Sequence, residues 1–368
     1  VEERQAGRES HASVRAILRH QSANGALVAS PDFPQYQFCW LRDGSFVAHA
    51  LDRVGEREAS ARFHSWCRSA INGVTNLMGA AVQRREASKE LEPATMPPAR
   101  FSLAGSVVAD DWPNFQIDGY GTWLWSLREH LGQPARPLPE EFVGVVAQTA
   151  RYLSSFWDAP CFDVWEEAGT SIHTSTLGCV YAGLRAAAEL LGDASYDDVA
   201  ATVKCRVIDR ARAAGYFEKS NDDPQVDASL LWIATPFRVV APEDATFAET
   251  VRRIENELQL GVGLRRYGRD TYFGGGAWPV LTASLGRHYV ATGEHESARR
   301  CLEWIERHFD DQGRLGEQFG GDRRDPEMYR KWVDRWGPPA RDLLWSHAMY
   351  LLLRNDLAAA TGEHGEAI

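Results

Sequence analysis

Apolar residues along this chain recur at spacings of three and four, and nothing in the pattern reads as a β-protein. Together with stop signals, the spacing predicts helices near residues 8–20, 43–54, 57–72, 115–131, 139–156, 174–191, 195–214, 227–235, 242–258, 278–293, 295–309 and 341–360. Several neighbours are joined by very short links: Val54-Gly55-Glu56, Leu191-Gly192-Asp193 and Thr292-Gly293-Glu294. Each puts a glycine where a helix C-terminus needs a left-handed residue, then an acid suited to the next N-terminus. These are helical hairpins. Six of them closing into a ring make an all-α fold, an (α/α)6 barrel. An open solenoid is the rival, but no repeat of about 34 or 40 residues is visible. No linker rich in Gly, Ser or Pro divides the chain, so residues 1–368 read as one domain. Two stretches stay irregular, 80–111 with Pro93, Pro97 and Pro98, and 318–340 with Tyr329, Trp332 and Trp336 ahead of Pro338-Pro339.

Six polar, aromatic-rich segments precede alternate helices: 36–43, 112–118, 163–167, 222–227, 265–278 and 316–318. Each leads into the second helix of a pair. In a ring whose inner helices run parallel, all six converge on one mouth, where helix N-termini carry partial positive charge and free N–H groups.

Composition narrows what that mouth can bind. The net charge is -11, which argues against nucleic acid and suits an uncharged partner. Thirteen tryptophans are more than a core of this size needs; packing between helices accounts for most of them, and the excess also suits a cleft where flat rings stack on sugar faces. The six cysteines are scattered singly, with no CxxC spacing, so neither a zinc site nor any cofactor is expected. Scattered thiols and the absence of an apolar leader or membrane-length run suggest a cytoplasmic protein without a membrane partner. Nothing in the sequence sets the oligomeric state.

Glycoside cleavage needs one protonated and one ionised carboxyl group. Glu166, in Trp165-Glu166-Glu167, is a candidate acid: adjacent carboxylates beside an indole raise one pKa through repulsion and desolvation. The same pair also suits a helix N-terminus ahead of Thr174. Glu317 follows Gly316 in a tight turn, and taken by itself reads as an exposed loop residue. Arg42-Asp43 after Trp40 offers charged groups to sugar hydroxyls, or a capped helix with a surface ion pair. Gly274-Gly275-Gly276 follows no strand and lacks a Lys-Thr, so it is a close-approach turn and not a phosphate loop.

At this point the chain resembles the glucoamylase family, glycoside hydrolase family 15. Tyr36…Trp40-Leu41-Arg42-Asp43-Gly44 is similar to that family's first motif, and Asp163-Val164-Trp165-Glu166-Glu167 to its acid motif. Arg266-Tyr267, Asp270-Thr271-Tyr272 and Trp278 resemble a third motif. Gly316-Glu317-Gln318 ahead of Arg341-Asp342-Leu343-Leu344-Trp345-Ser346-His347 resembles the base motif. The resemblance implies inversion without a metal, releasing β-glucose from the non-reducing end of an α-glucoside. Glu166 is the implied general acid and Glu317 the implied general base. Arg42 and Asp43 would hold the terminal glucose, Glu167 the leaving sugar, and Arg266 further hydroxyls. Tyr36, Trp40, Trp112, Trp165, Tyr267 and Trp278 complete the expected substrate-binding set.

The first motif begins near residue 36 and no starch-binding module follows, so short α-1,6 glucosides such as isomaltose are expected over starch. An α-1,4 glucoamylase or a trehalase is the alternative within the family. A glycoside phosphorylase, for which Arg323-Arg324 could supply cationic charge, and a non-catalytic sugar-binding barrel are the alternatives outside it.

Overall fold

The computed structural model describes residues 2–90, 92–132, 136–320 and 325–362. Its helices are α1 (Glu2–His20), α2 (Leu41–Arg53), α3 (Arg57–Asn72), α4 (Thr75–Glu86) and α5 (Asp118–Leu131). There follow α6 (Glu140–Phe156), α7 (Thr174–Leu191), α8 (Ser195–Ala214) and α9 (Ala245–Leu258). The last four are α10 (Pro279–Ala291), α11 (His295–Glu306), α12 (Pro326–Trp336) and α13 (Leu344–Thr361). Two antiparallel two-residue ladders, Cys39–Trp40 with Arg100–Phe101 and Gln259–Leu260 with Gly263–Leu264, tie loops together.

Burial sorts these helices into two layers. α2 is buried continuously from Leu41 to Leu51, and α10 from Pro279 to Tyr289, as expected of helices with protein on every side. α9 and α11 bury one stripe each, Phe247, Val251, Ile254 and Leu258 in the first and Ala298, Cys301 and Ile305 in the second. The inner layer closes on itself: α2 packs on α5, α5 on α7, α7 on the 3-10 helix Ala228–Ile233, that helix on α10, α10 on α13, and α13 on α2. The outer helices lean on this ring, giving the expected (α/α)6 barrel. Gly55, Gly192 and Gly293, the hairpin glycines, all have positive φ.

Three expectations need correction. The predicted helix 227–235 is a short 3-10 helix, because Asp227 caps it and Pro236 ends it within two turns. Residues 80–111 are not wholly irregular, since α4 runs to Glu86 and packs on α6. Residues 318–340 contain α12, started by Asp325, which accepts bonds from the Glu327 and Met328 amides, and by Pro326. No helix among the described residues is long and apolar enough to cross a membrane.

α5 and α7 make their closest approach at two glycines. A Cβ on Gly183 would lie 2.6 Å from Gly121 Cα, and one on Gly121 would lie 2.4 Å from Cys179 O. Gly121→Ala should therefore cost about 1–3 kcal/mol by overpacking. Gly144 sits on the solvent face of α6 with nothing within 4 Å of an added Cβ, so Gly144→Ala should gain up to ~1 kcal/mol. Urea denaturation of both variants checks this contrast; effects of the same sign would contradict the packing.

Candidate active site

Residues 163–167 are folded by one side chain. Asp163 Oδ1 accepts from the Trp165 and Glu167 amides, both at 2.9 Å, while its backbone exchanges bonds with Glu166 and Glu167. The tight loop forces Glu166 to a φ of 67°, a left-handed conformation unusual for a residue with a Cβ. Asp163 Oδ2 meets Lys219 Nζ at 3.0 Å, and the same ammonium meets Asp227 Oδ2 at 2.7 Å. Asp227 also accepts from the Trp165 indole and from Ser229 N. Lys219 is buried; desolvation favours its neutral form, but Asp227 and Asp163 outweigh that and hold it charged. Lys219 belongs to none of the six segments and carries no sequence signal of its importance. Segment 222–227, expected at the mouth, supplies this support and not the pocket wall.

The pocket is a cavity of about 330 Å³ at the N-terminal ends of the inner helices. Of the expected residues, Tyr36, Trp40, Arg42, Asp43, Trp112, Trp165, Glu166, Glu167, Arg266, Trp278 and Glu317 line it. Tyr267 does not. It stands behind Glu167 and donates its hydroxyl to Oε2 at 2.5 Å, while Arg266 reaches Oε1 at 3.2 Å.

Charged groups in the wall alternate in sign. Arg42 Nη1 bonds Asp118 at 3.0 Å, and its Nη2 lies 3.2 Å from Asp43 and 3.8 Å from Glu166 Oε1. Arg266 grips Asp270 with two bonds, 2.9 and 2.6 Å long, and is ringed by Trp165, Tyr272 and Trp278. Each guanidinium is therefore matched by carboxylates before a ligand arrives.

Glu166 receives a hydrogen bond from the Trp40 indole. Burial pushes its pKa up to about 7, with Asp43 raising it and Arg42 and Trp40 opposing. The expected repulsion from Glu167 is not the cause, because Glu167 is engaged by Tyr267 and Arg266. Glu317 is fully buried and not an exposed loop residue. Its amide bonds Ala340 O, and Ser346 Oγ bonds the preceding Gly316 carbonyl. Tyr36 donates to Glu317 Oε1 at 2.8 Å and sits 2.8 Å from the Tyr272 hydroxyl. Burial raises Glu317 to about 8, against the Tyr36 bond and Arg266. Its Oε2, and the indole nitrogens of Trp112, Trp278, Trp332 and Trp345, make no hydrogen bond among the described residues.

The sequence reading missed the roof. α12 brings Trp332, Arg335 and Trp336 into the pocket wall, with Trp332 5.1 Å from Tyr272 and 4.7 Å from Trp336 between ring centres. The spacing 329, 332, 336 was a helical signal, obscured by the charged residues around it. The floor is Trp165, Trp278 and Trp345, and Trp112 flanks Trp40 at 5.8 Å with Arg100 stacked behind it at 3.9 Å. Gly276 donates to Gln318 at 3.1 Å and leaves no room for a Cβ, which makes the glycine run the close-approach turn expected. Arg323 and Arg324 lie outside the described residues.

With that geometry in view, the chain can be set beside known proteins. The family model described as glycosyl hydrolases family 15 matches residues 10–309. The chain is 37% identical over 360 residues to isomaltose glucohydrolase of Kribbella flavida, covering 95% of this chain and 92% of that protein. It is 25% identical to trehalase 2 of Sulfolobus acidocaldarius over 83% of this chain and 56% of the trehalase. A glycosidase variant solved in complex with glucose superposes with a TM-score of 0.93 at 35% identity, covering 97% of this chain and 98% of that one.

Removing the buried ammonium leaves two carboxylates facing each other without water. Lys219→Met should lower unfolding stability by about 3–5 kcal/mol at pH 7, the scale for an orphaned buried charge. Adding Asp227→Asn to that variant should recover part of the loss. Chemical denaturation of the single and double variants measures this, and purely additive losses would contradict the network.

Proposed function

The chain belongs to glycosyl hydrolases family 15 and is a glycoside hydrolase, and we propose that it hydrolyses short α-glucosides from the non-reducing end with inversion. Glu166 acts as general acid and Glu317 as general base. The observation that carries this reading is a buried carboxyl group, Glu317, and a half-buried one, Glu166, facing one indole-walled cavity, each held by a different donor, Tyr36 for the first and Trp40 for the second.

The step follows from the chemistry of such a pair. Arg42 and Asp43 bind hydroxyls of the terminal glucose, with Trp165 and Trp278 beneath its apolar face. Glu166, whose pKa burial lifts to about 7, gives its proton to the glycosidic oxygen as that bond breaks. Oε1 of Glu317 is fixed by Tyr36, which leaves Oε2 to take a proton from the water that attacks the anomeric carbon from the other face. Inversion by this route requires the two carboxyl groups to stand about 6.5–9.5 Å apart. Glu167, steadied by Tyr267 and Arg266, and Trp112 bind the departing sugar.

The α-1,6 preference draws on the likeness to isomaltose glucohydrolase, and short substrates on the Trp332–Trp336 roof across the pocket. Trehalose is the second reading, favoured by the trehalase match. A phosphorylase fits poorly, because Arg42 and Arg266 are already matched by carboxylates. The six free thiols suit a reducing cytoplasm, and the ring closed between α2 and α13 suits one catalytic unit.

Turnover on isomaltose, maltose and trehalose, with NMR of the released anomer, tests the reading. Initial β-glucose with isomaltose preferred is expected; initial α-glucose would sink inversion, and a strong preference for maltose or trehalose would sink the linkage. Glu166→Gln should slow hydrolysis by roughly 10²–10⁴-fold, and less for a glucoside with a good leaving group. Equal slowing on both substrates would count against Glu166 as the acid.

A pH profile probes the same pair. Glu317 lies at about 8 and Glu166 at about 7, so the form with the acid protonated and the base ionised is a minority one, most populated between these values, and kcat/KM should trace a narrow bell with limbs near 7 and 8. Tyr36→Phe removes a bond to the Glu317 carboxylate and raises that group further, which should lower the maximum and move the basic limb to higher pH. An unmoved basic limb would separate the profile from Glu317.

A further inference from the structure

At the far end of the ring, a second cluster of potential ligands is buried between three helices. Asp52 lies in the last turn of α2, His130 in the last turn of α5, and His64 in α3. Asp43, at the pocket, is nine residues earlier on α2, which puts Asp52 about 14 Å down the helix axis. One nitrogen from each histidine and one Asp52 oxygen lie within 4.8 Å of one another. His64 is 1% exposed and His130 9%.

The three side chains are not equally engaged. His130 Nδ1 is 2.9 Å from Asp52 Oδ1, and Ser60 Oγ donates to Asp52 Oδ2 at 2.9 Å. Among the described residues His64 has no hydrogen-bond partner at either ring nitrogen, although its ring centre is 5.0 Å from that of His130. A buried imidazole with both nitrogens unpaired is costly unless it binds something. Arg57 Nη1 stands 3.8 Å from Asp52 Oδ1, while its Nη2 donates to the His130 carbonyl at 2.6 Å, which holds the guanidinium at the rim of the cluster.

From this geometry we infer that Asp52, His64 and His130 form a binding site for a divalent ion of the zinc class. Two imidazoles and a carboxylate suit zinc, cobalt or nickel better than calcium or magnesium. Contraction by roughly 1 Å brings the three atoms to bonds of ~2.0–2.2 Å. The ion takes the place of the proton between His130 and Asp52, which moves to the other ring nitrogen of His130, and Ser60 orients the carboxylate from behind. Such an ion staples the outer helix α3 to the inner helices α2 and α5 without touching the sugar pocket.

The test uses the whole protein, stripped with a chelator, dialysed against zinc and assayed for metal. One zinc per chain is expected, with a rise in Tm. His64→Phe and Asp52→Asn should lose both the zinc and the rise in Tm while isomaltose turnover stays unchanged. Substoichiometric zinc in the unaltered protein, or equal zinc in the variants, would overturn the site. Should the variants fail to fold, cobalt loading of the unaltered protein decides: intense four- or five-coordinate absorption supports the site, and the weak spectrum of octahedral cobalt counts against it.

Discussion

One ammonium group organises the mouth of this barrel. Lys219 is shared by Asp163 and Asp227, and each of those carboxylates folds a different part of the site. Asp163 winds residues 163–167 about itself and fixes Glu166 and Glu167 on adjacent parts of the pocket wall. Asp227 starts the 3-10 helix and holds the Trp165 indole in the pocket floor. Burying three charges is favourable only when each is paired and hydrogen-bonded, and here each is. The Tyr267 ring adds its face, 4.0 Å from the ammonium.

The same rule extends around the wall. Arg42 and Arg266 sit between carboxylates, so a neutral sugar meets alternating donors and acceptors with little net field. The carboxyl groups left with the least compensation, Glu166 and Glu317, are those whose pKa values burial lifts furthest towards neutrality. Pairing elsewhere makes their isolation possible. Position in the wall and access to charge thus divide the scaffold carboxylates from the two proposed to react.

Much of this was legible in the chain. The helical spacing and hairpin glycines announced the ring, and most polar segments before the inner helices announced the pocket. What escaped depends on contacts distant in sequence. Lys219 stands between segments and matters only because α7 and the 3-10 helix bring Asp163 and Asp227 to it. The fourth stave of the ring looked like an α-helix because its Leu230-Leu231-Trp232-Ile233 run is apolar, a pattern that fixes burial but not helix type. α12 hid because its aromatic stripe faces a cavity and its other face is charged. Tyr267 was read as touching sugar when it touches Glu167, a distinction of a few ångströms that spacing cannot carry.

The left-handed backbone at Glu166 has a consequence for anyone redesigning this protein. Judged by conformation alone, position 166 prefers glycine or asparagine, and a glutamate there forgoes about 1–3 kcal/mol. A search for thermostable variants scored only on folding would drift towards those residues and lose the carboxyl group. With Glu166 in its proposed role, stability and turnover compete at a single peptide unit, and stabilising effort belongs elsewhere on the molecule, on the solvent faces of the outer helices.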